Sequence, residues 1–395
     1  MHARFVFLVI AFVVFLAEAE IDIVVPSFPG LMSYYGISVA QTEQVLSFNL
    51  IAHGVAGLIV GWLADVWGKH RTLLAGLLLF LIGSLFTVLA KDFYWLLLGR
   101  ALQGAGMAAP MVVGYLLVMD DVGELEKARR VALLNGVANI SLALTPALGS
   151  LLAVFLGWRA NFQVLLLLAL LALLLVVLLV PRDARLTGFA PTLTVGKTGY
   201  CDLLQDVTLH RLILATIFLP AGWFAFVGFA PVLYVNALGV SLGTYGFHQG
   251  VIALLYGVVS LYLFRIAEWL GKRLTVLLSV GLLLLAIVGL SIAFFVSKVT
   301  PVLVTSLLFM GSIGSAFFVN RTQVLAVSYR PEAGGKVSAM ITLGRWLVAA
   351  ILLQVSGMLY EYHNLVILLS IAMIWLFGLV YLYWCADDIL NRMLN

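Results

Sequence analysis

The chain has 395 residues, 64% hydrophobic and only 10% charged, with a net charge of +4 and a mean hydropathy of +1.14. Soluble domains carry about 25% charged residues, so most of this surface must face lipid rather than water. That excludes a soluble enzyme, and basic residues scattered through short loops give no footprint for nucleic acid.

In lipid every backbone polar group needs an internal partner, and a helical span takes roughly 20 apolar residues. Runs such as 164–180 do not alternate as barrel strands would. The chain therefore reads as an all-α integral membrane protein. Spans are predicted near 5–27, 44–64, 72–90, 93–117, 130–153 and 160–180, then near 209–235, 245–266, 273–296, 300–326, 337–359 and 363–384. This makes twelve transmembrane helices in two six-helix bundles, 1–180 and 208–395, joined by a polar cytoplasmic linker, 181–207. The linker holds Pro191, Gly188 and Gly196 and ends in a short stretch, Tyr200–His210, that suits the membrane surface. The first apolar stretch has no small-residue cleavage site and carries three acids, so it is expected to stay as a span. With the N-terminus inside, 16 of the 22 Lys and Arg residues fall on the cytoplasmic side, and both termini are expected there.

Span one contains Glu18, Glu20 and Asp22, the only acids well inside a predicted span, followed by Pro26 and Pro29. Intramembrane acids are functional by default, and neighbouring buried carboxyls exchange protons near neutral pH. Glu18 and Asp22 are four apart and share a helix face; they are expected to face a central cavity, and Glu20, pointing roughly to the other side, is a further cavity candidate. A span that ended early would instead leave the acids facing outer water.

After span two comes Gly61-Trp-Leu-Ala-Asp65-Val-Trp-Gly68-Lys69-His70-Arg71. Gly61 suits a close helix approach, Asp65 sits beside cations, and Gly68 suits a tight turn. A shorter echo, Glu268-Trp-Leu-Gly271-Lys272, follows span eight 203 residues later and points to two repeated halves. Span four reads Gly99-Arg100-Ala-Leu-Gln103-Gly104-Ala-Gly106. An arginine in a span costs at least about 2.5–3.5 kcal/mol unless paired or hydrated, so Arg100 either finds a carboxylate or carbonyls in the bundle or snorkels outward. Span five holds Gly136, then Thr145-Pro146-Ala-Leu-Gly149-Ser150, a kinked face of small residues. In span seven Trp223 and Phe226 either line an apolar pocket or face lipid. Arg345 in span eleven either reaches the cavity, to meet the span-one acids or an anionic substrate group, or snorkels to the cytoplasmic surface. Gln103 and Asn139 complete the cavity candidates. Cys201 and Cys385 have no metal spacing around them, so no metal or cofactor is expected.

The loop after span two resembles the signature loop of the major facilitator superfamily, and the Arg100–Gly106 segment resembles its second motif. The first span, with Asp22, Pro26 and Pro29, and the stretch Arg330-Pro331-Glu332-Ala333-Gly334-Gly335-Lys336-Val337-Ser338-Ala339 are similar to the Bcr/CflA branch of twelve-span drug:proton antiporters. Span five resembles the family's antiporter motif, with Thr145 and Ser150 replacing glycines. The resemblance implies a gating latch at Gly61, Asp65, Gly68, Lys69 and Arg71, a gating kink at Pro146, and proton coupling through Arg100; Asp22 and Glu18 are coupling candidates as intramembrane acids in their own right, and the branch's pattern has no acid at the Glu18 position. It implies a monomeric bacterial inner-membrane exporter of lipophilic small molecules or drugs, cations among them, working with protons and membrane lipid as its other partners. The alternative is a proton-coupled carrier of one metabolite such as a siderophore, sugar derivative or amino acid. A membrane enzyme would need a catalytic constellation, and none is present in the sequence.

Overall fold

A computed structural model describes residues 2–119, 123–181, 199–296, 299–330 and 333–384. The linker residues Gly188, Pro191 and Gly196, the Pro331-Glu332 step and Cys385 lie outside the described residues. Within them the protein is helical, with no strand. In chain order come α1 (His2–Asp22), a 3-10 turn (Val25–Ser27), α2 (Phe28–Tyr35), α3 (Val39–Trp67), α4 (Lys69–Leu89), α5 (Phe93–Met119), α6 (Glu124–Leu156) and α7 (Arg159–Leu179). Then follow α8 (Tyr200–Gln205), α9 (Val207–Pro231), a π-helical turn (Val232–Ala237), α10 (Leu242–Leu270), α11 (Lys272–Phe295), α12 (Pro301–Tyr329), α13 (Gly334–Leu359) and α14 (Val366–Trp384).

Among the described residues ten helices are long and apolar enough to cross a membrane: α3 to α7, α9 with its π turn, and α11 to α14. The other two predicted spans fall on α1, 21 residues, and α10, 29 residues; both have spanning length but lie outside that set of ten. The three carboxylates near the end of α1 set its composition apart.

Two compact units make up the chain: Met1–Ile37 with Gln44–Thr194, and Ser38–Glu43 with Val195–Asn395. The first turn of α3 thus groups with the second unit, where a Cβ on Gly357 would meet the backbone of Ala40. The sequence echo becomes a repeated shape. α3 and α10 are both 29 residues long, and each ends at a glycine with positive φ: Gly68 (φ 91, ψ 155) and Gly271 (φ 78, ψ 149). Four residues on, Thr72 and Thr275 each return a hydroxyl hydrogen bond to that glycine's carbonyl, at 2.9 and 3.0 Å.

Candidate functional site

The site begins with a broken helix. Pro26 has no N–H to give the carbonyl of Asp22, four residues back, and Pro29 does the same to Val25, so the α-helical ladder of α1 stops at Asp22. The chain continues through a 3-10 turn into α2. The break is held from two sides. The Ser27 hydroxyl donates to the Trp158 carbonyl at 3.0 Å and accepts from Asn161 Nδ2 at 2.8 Å, and Asn161 also donates to the Gly149 carbonyl at 3.1 Å. A Cβ on Gly149 would collide with the Ile23 backbone, so α6 lies directly against the break. Further down the same seam, Ser141 Oγ donates to the Phe15 carbonyl at 3.0 Å.

Arg100 sits on α5, which meets α4 through Gly76, Gly83, Gly99 and Gly106; a Cβ at any of them would strike the facing helix. Gly104 likewise lets the Asn49 backbone of α3 approach. This packing seals Arg100 completely. Its Nη1 pairs with Glu20 Oε2 at 2.9 Å and donates to Gln103 Oε1 at 2.9 Å, while its Nε donates to the Val45 carbonyl at 3.2 Å. Asn49 Nδ2 donates to the same Glu20 oxygen at 3.2 Å and to the Arg100 carbonyl at 3.1 Å. Gln103 Nε2 extends the network to Ser84 Oγ at 2.9 Å. Outward snorkelling of Arg100 is therefore not what the structure has. The carboxylate that meets it is Glu20, so the face of α1 turned to α5 is the Glu20 face and not that of Glu18 and Asp22.

Asp22 is 3% exposed, with no hydrogen bond and no cation among the described residues; its electrostatic neighbours are Glu18 and Glu20. Glu18 is half-buried and lies in electrostatic reach of Tyr115, whose hydroxyl donates to Asn135 Oδ1 at 2.9 Å. Glu20 and Asp22 are buried from water, and Glu18 is half-buried. Arg100, Glu20 and Gln103 are brought into one network, with Asp22 and Glu18 beside it on the same helix.

The loop residues are placed differently. Gly68 makes the tight turn, but no atom among the described residues lies within 4 Å of a Cβ built on Gly61, so the close approach expected there is absent. Asp65 and Arg71 are exposed and Lys69 is half-buried. Pro146 is buried inside an α6 that stays helical across it. Asn139 is on α6, and its side chain lies outside the described set.

In the second unit, Arg345 on α13 donates through Nε to the Thr216 carbonyl at 3.1 Å and through Nη2 to Gln323 Oε1 at 3.0 Å. It does not snorkel: both acceptors lie inside the bundle, on α9 and α12. Trp223 stacks on Tyr256, with centroids 5.8 Å apart and planes at 15°. Phe226 is fully buried between Trp223 and Tyr234.

Sequence reasoning missed Asn49 and Ser84, whose polarity is unremarkable until α3 and α4 deliver them to Arg100. It also missed Glu43, placed just outside a span predicted to start at 44. α3 starts at Val39, and Glu43 is fully buried with neither carboxylate oxygen hydrogen-bonded among the described residues. The signal was an acid one turn into a strongly apolar helix.

Comparison with known proteins places this arrangement. The family model of the Major Facilitator Superfamily matches residues 10–353. The chain is 29% identical over 284 residues to a multidrug resistance protein MdtL from Salmonella typhi, covering 71% of each chain. It is 28% identical over 247 residues to the MdtL of Klebsiella pneumoniae (strain 342), covering 62% of each. Among solved structures, a peptide transporter POT in complex with sulfate superposes with a TM-score of 0.76 at 15% identity, covering 98% of this chain and 95% of that one. A D-xylose-proton symporter superposes with a TM-score of 0.75 at 16% identity, covering 96% and 97%. These two likenesses carry the fold. Matched over most of its length, the chain belongs to the Major Facilitator Superfamily: it is a multi-pass membrane transporter and not an enzyme.

Proposed function

We propose that this protein exports lipophilic small molecules, cations among them, in exchange for protons by alternating access, as a monomer in a bacterial inner membrane with both termini cytoplasmic. Relatives named as multidrug resistance proteins support the substrate class. The observation that carries the coupling is Asp22: a carboxylate 3% exposed, with no cation of its own, at a helix break beside the sealed Glu20–Arg100 pair.

Arg100 compensates Glu20, so the ionised form of Asp22 adds a negative charge that no fixed donor balances. Burying such a charge costs solvation energy unless a counter-charge arrives. A proton supplies one, and so does a cationic substrate. Competition of the two for one carboxylate is the elementary logic of an antiporter. Each charge moved supplies about 2.3 kcal/mol per 100 mV of membrane potential, before any pH gradient. Glu18, four residues earlier on the same face, extends the acidic surface that a cation meets.

Everted membrane vesicles energised with an inward-acid pH gradient should accumulate ethidium when they contain this protein. Asp22→Asn should abolish gradient-driven accumulation while the purified protein keeps its elution profile, and Glu18→Gln should weaken it. If both variants accumulate dye as the parent does, the coupling assignment is wrong.

A further inference from the structure

The second unit holds an arginine whose surroundings invert those of Arg100. Arg345 spends Nε and Nη2 on two neutral acceptors, the Thr216 carbonyl and Gln323 Oε1, and no carboxylate among the described residues pairs with it. Its position is fixed by close packing: Gly344, the preceding residue, leaves room for the Ile217 side chain, which a Cβ there would strike. The two bonds hold the guanidinium plane in place, and no hydrogen bond from Nη1 is formed among the described residues. Planar guanidinium forks with fixed orientation are suited to oxyanions.

An aromatic wall adjoins this cation. Tyr256 is in electrostatic reach of Arg345 and stacks on Trp223, and the Trp346 ring meets Phe224 with centroids 4.3 Å apart. The Trp223 indole N–H is buried and has no hydrogen-bond acceptor among the described residues. Trp223 lies seven residues beyond Thr216 on α9, about 10 Å along the helix axis. The cation and the orphaned indole donor thus bracket a stacked ring pair. An unpaired charge and an unsatisfied donor are both costly in a membrane interior, and one ligand could relieve both.

From this juxtaposition of Arg345, Tyr256 and Trp223 we infer that the second unit contains a subsite for an oxyanion attached to an aromatic body, so that the transported molecules include amphipathic carboxylates or zwitterions and not lipophilic cations alone. The inference rests on the export reading only for its claim about transport; binding is independent of it.

The test uses the purified full-length protein in detergent and three probes that share one ring system: 2-naphthoate, 2-naphthamide and 2-naphthylmethylammonium. Calorimetric titration should show naphthoate binding about tenfold or more tighter than the amide, the range expected for a hydrogen-bonded charge. Arg345→Gln should erase that preference, Arg345→Lys should keep part of it, and Trp223→Phe should weaken naphthoate several-fold while retaining the ring stack. If Arg345→Gln does not fold, the parent's preference and the Trp223→Phe titration decide. No binding of naphthoate, equal binding of all three probes, or a preference that survives Arg345→Gln overturns the subsite. Vesicle transport of ethidium is measured alongside. Naphthoate binding without ethidium transport leaves the subsite standing and removes the export reading; ethidium transport without naphthoate binding does the reverse.

Discussion

Arg100 Nη1 lies 2.9 Å from Glu20 Oε2, and neither side chain is more than 1% exposed. The pair joins α5 to α1 just before the helix break, with Gln103 and Asn49 holding the two partners from either side. Removing one member of a buried pair strands the other charge and costs about 3–5 kcal/mol, whereas removing both together can be close to neutral. Glu20→Gln and Arg100→Gln should each lower the thermal unfolding temperature of detergent-purified protein markedly. The Glu20→Gln/Arg100→Gln double variant should be more stable than either single one. If the losses simply add, the pair is not the coupled unit that its geometry describes.

The break in α1 makes a separate prediction. In Pro26→Ala, the new N–H can donate to the Asp22 carbonyl and extend the helix past the acid. One backbone hydrogen bond contributes about 0.5–1.5 kcal/mol and offsets part of what the Ser27 contacts supply, so the variant should still fold in the same thermal assay. Straightening would turn Asp22 and pull Ser27 from its contacts with Trp158 and Asn161. Gradient-driven ethidium accumulation in vesicles should therefore drop about tenfold or more, and unchanged accumulation would show that the break is not needed.

Much of this was legible in the sequence because membranes punish polar groups uniformly. A lone arginine among the apolar residues of α5 had to find partners, and the glycines around it announced close packing. The partner was not legible. Helical spacing correctly grouped Glu18 with Asp22 and set Glu20 apart, but which face of α1 meets α5 depends on how Gly149 and Gly104 seat the neighbouring helices. Glu43 escaped for a related reason: hydropathy alone started α3 five residues late, so a buried acid looked like a loop residue. Arg345 was placed in its span, but the neutrality of both its acceptors emerges only when α9 and α12 close around it.

Gly68 and Gly271 perform the same local task in the two units, each turning the chain with φ near 80–90° before the next helix starts. Side chains other than glycine pay roughly 1–3 kcal/mol for such a conformation. Gly68→Ala and Gly271→Ala should each lower stability by about that amount. Each turn belongs to its own unit, so the double variant should lose the sum to within about 0.5 kcal/mol. Thermal unfolding of all three variants checks this; a much larger combined loss would mean that the turns are coupled.

Asp206 offers a pH-dependent test outside the membrane spans. It caps α9 by accepting the Leu209 N–H at 3.0 Å and pairs with Arg330 Nη2 at 2.8 Å. The Leu209 N–H first, and the Arg330 hydrogen bond next, hold its carboxyl below the usual carboxylate range, about 3.9. A depressed folded-state value means that the unfolded chain takes up the proton first as pH falls. The stabilisation is then complete above the ordinary value and is lost as pH drops through the folded one. The Asp206 contribution to the unfolding temperature should thus be full and independent of pH between pH 7 and pH 5, and should decline below about pH 4. Asp206→Asn keeps an N-cap acceptor and should flatten that acid decline, whereas Asp206→Ala should cost about 1 kcal/mol at neutral pH through loss of the cap. An acid profile identical in parent and Asp206→Asn would remove the linkage.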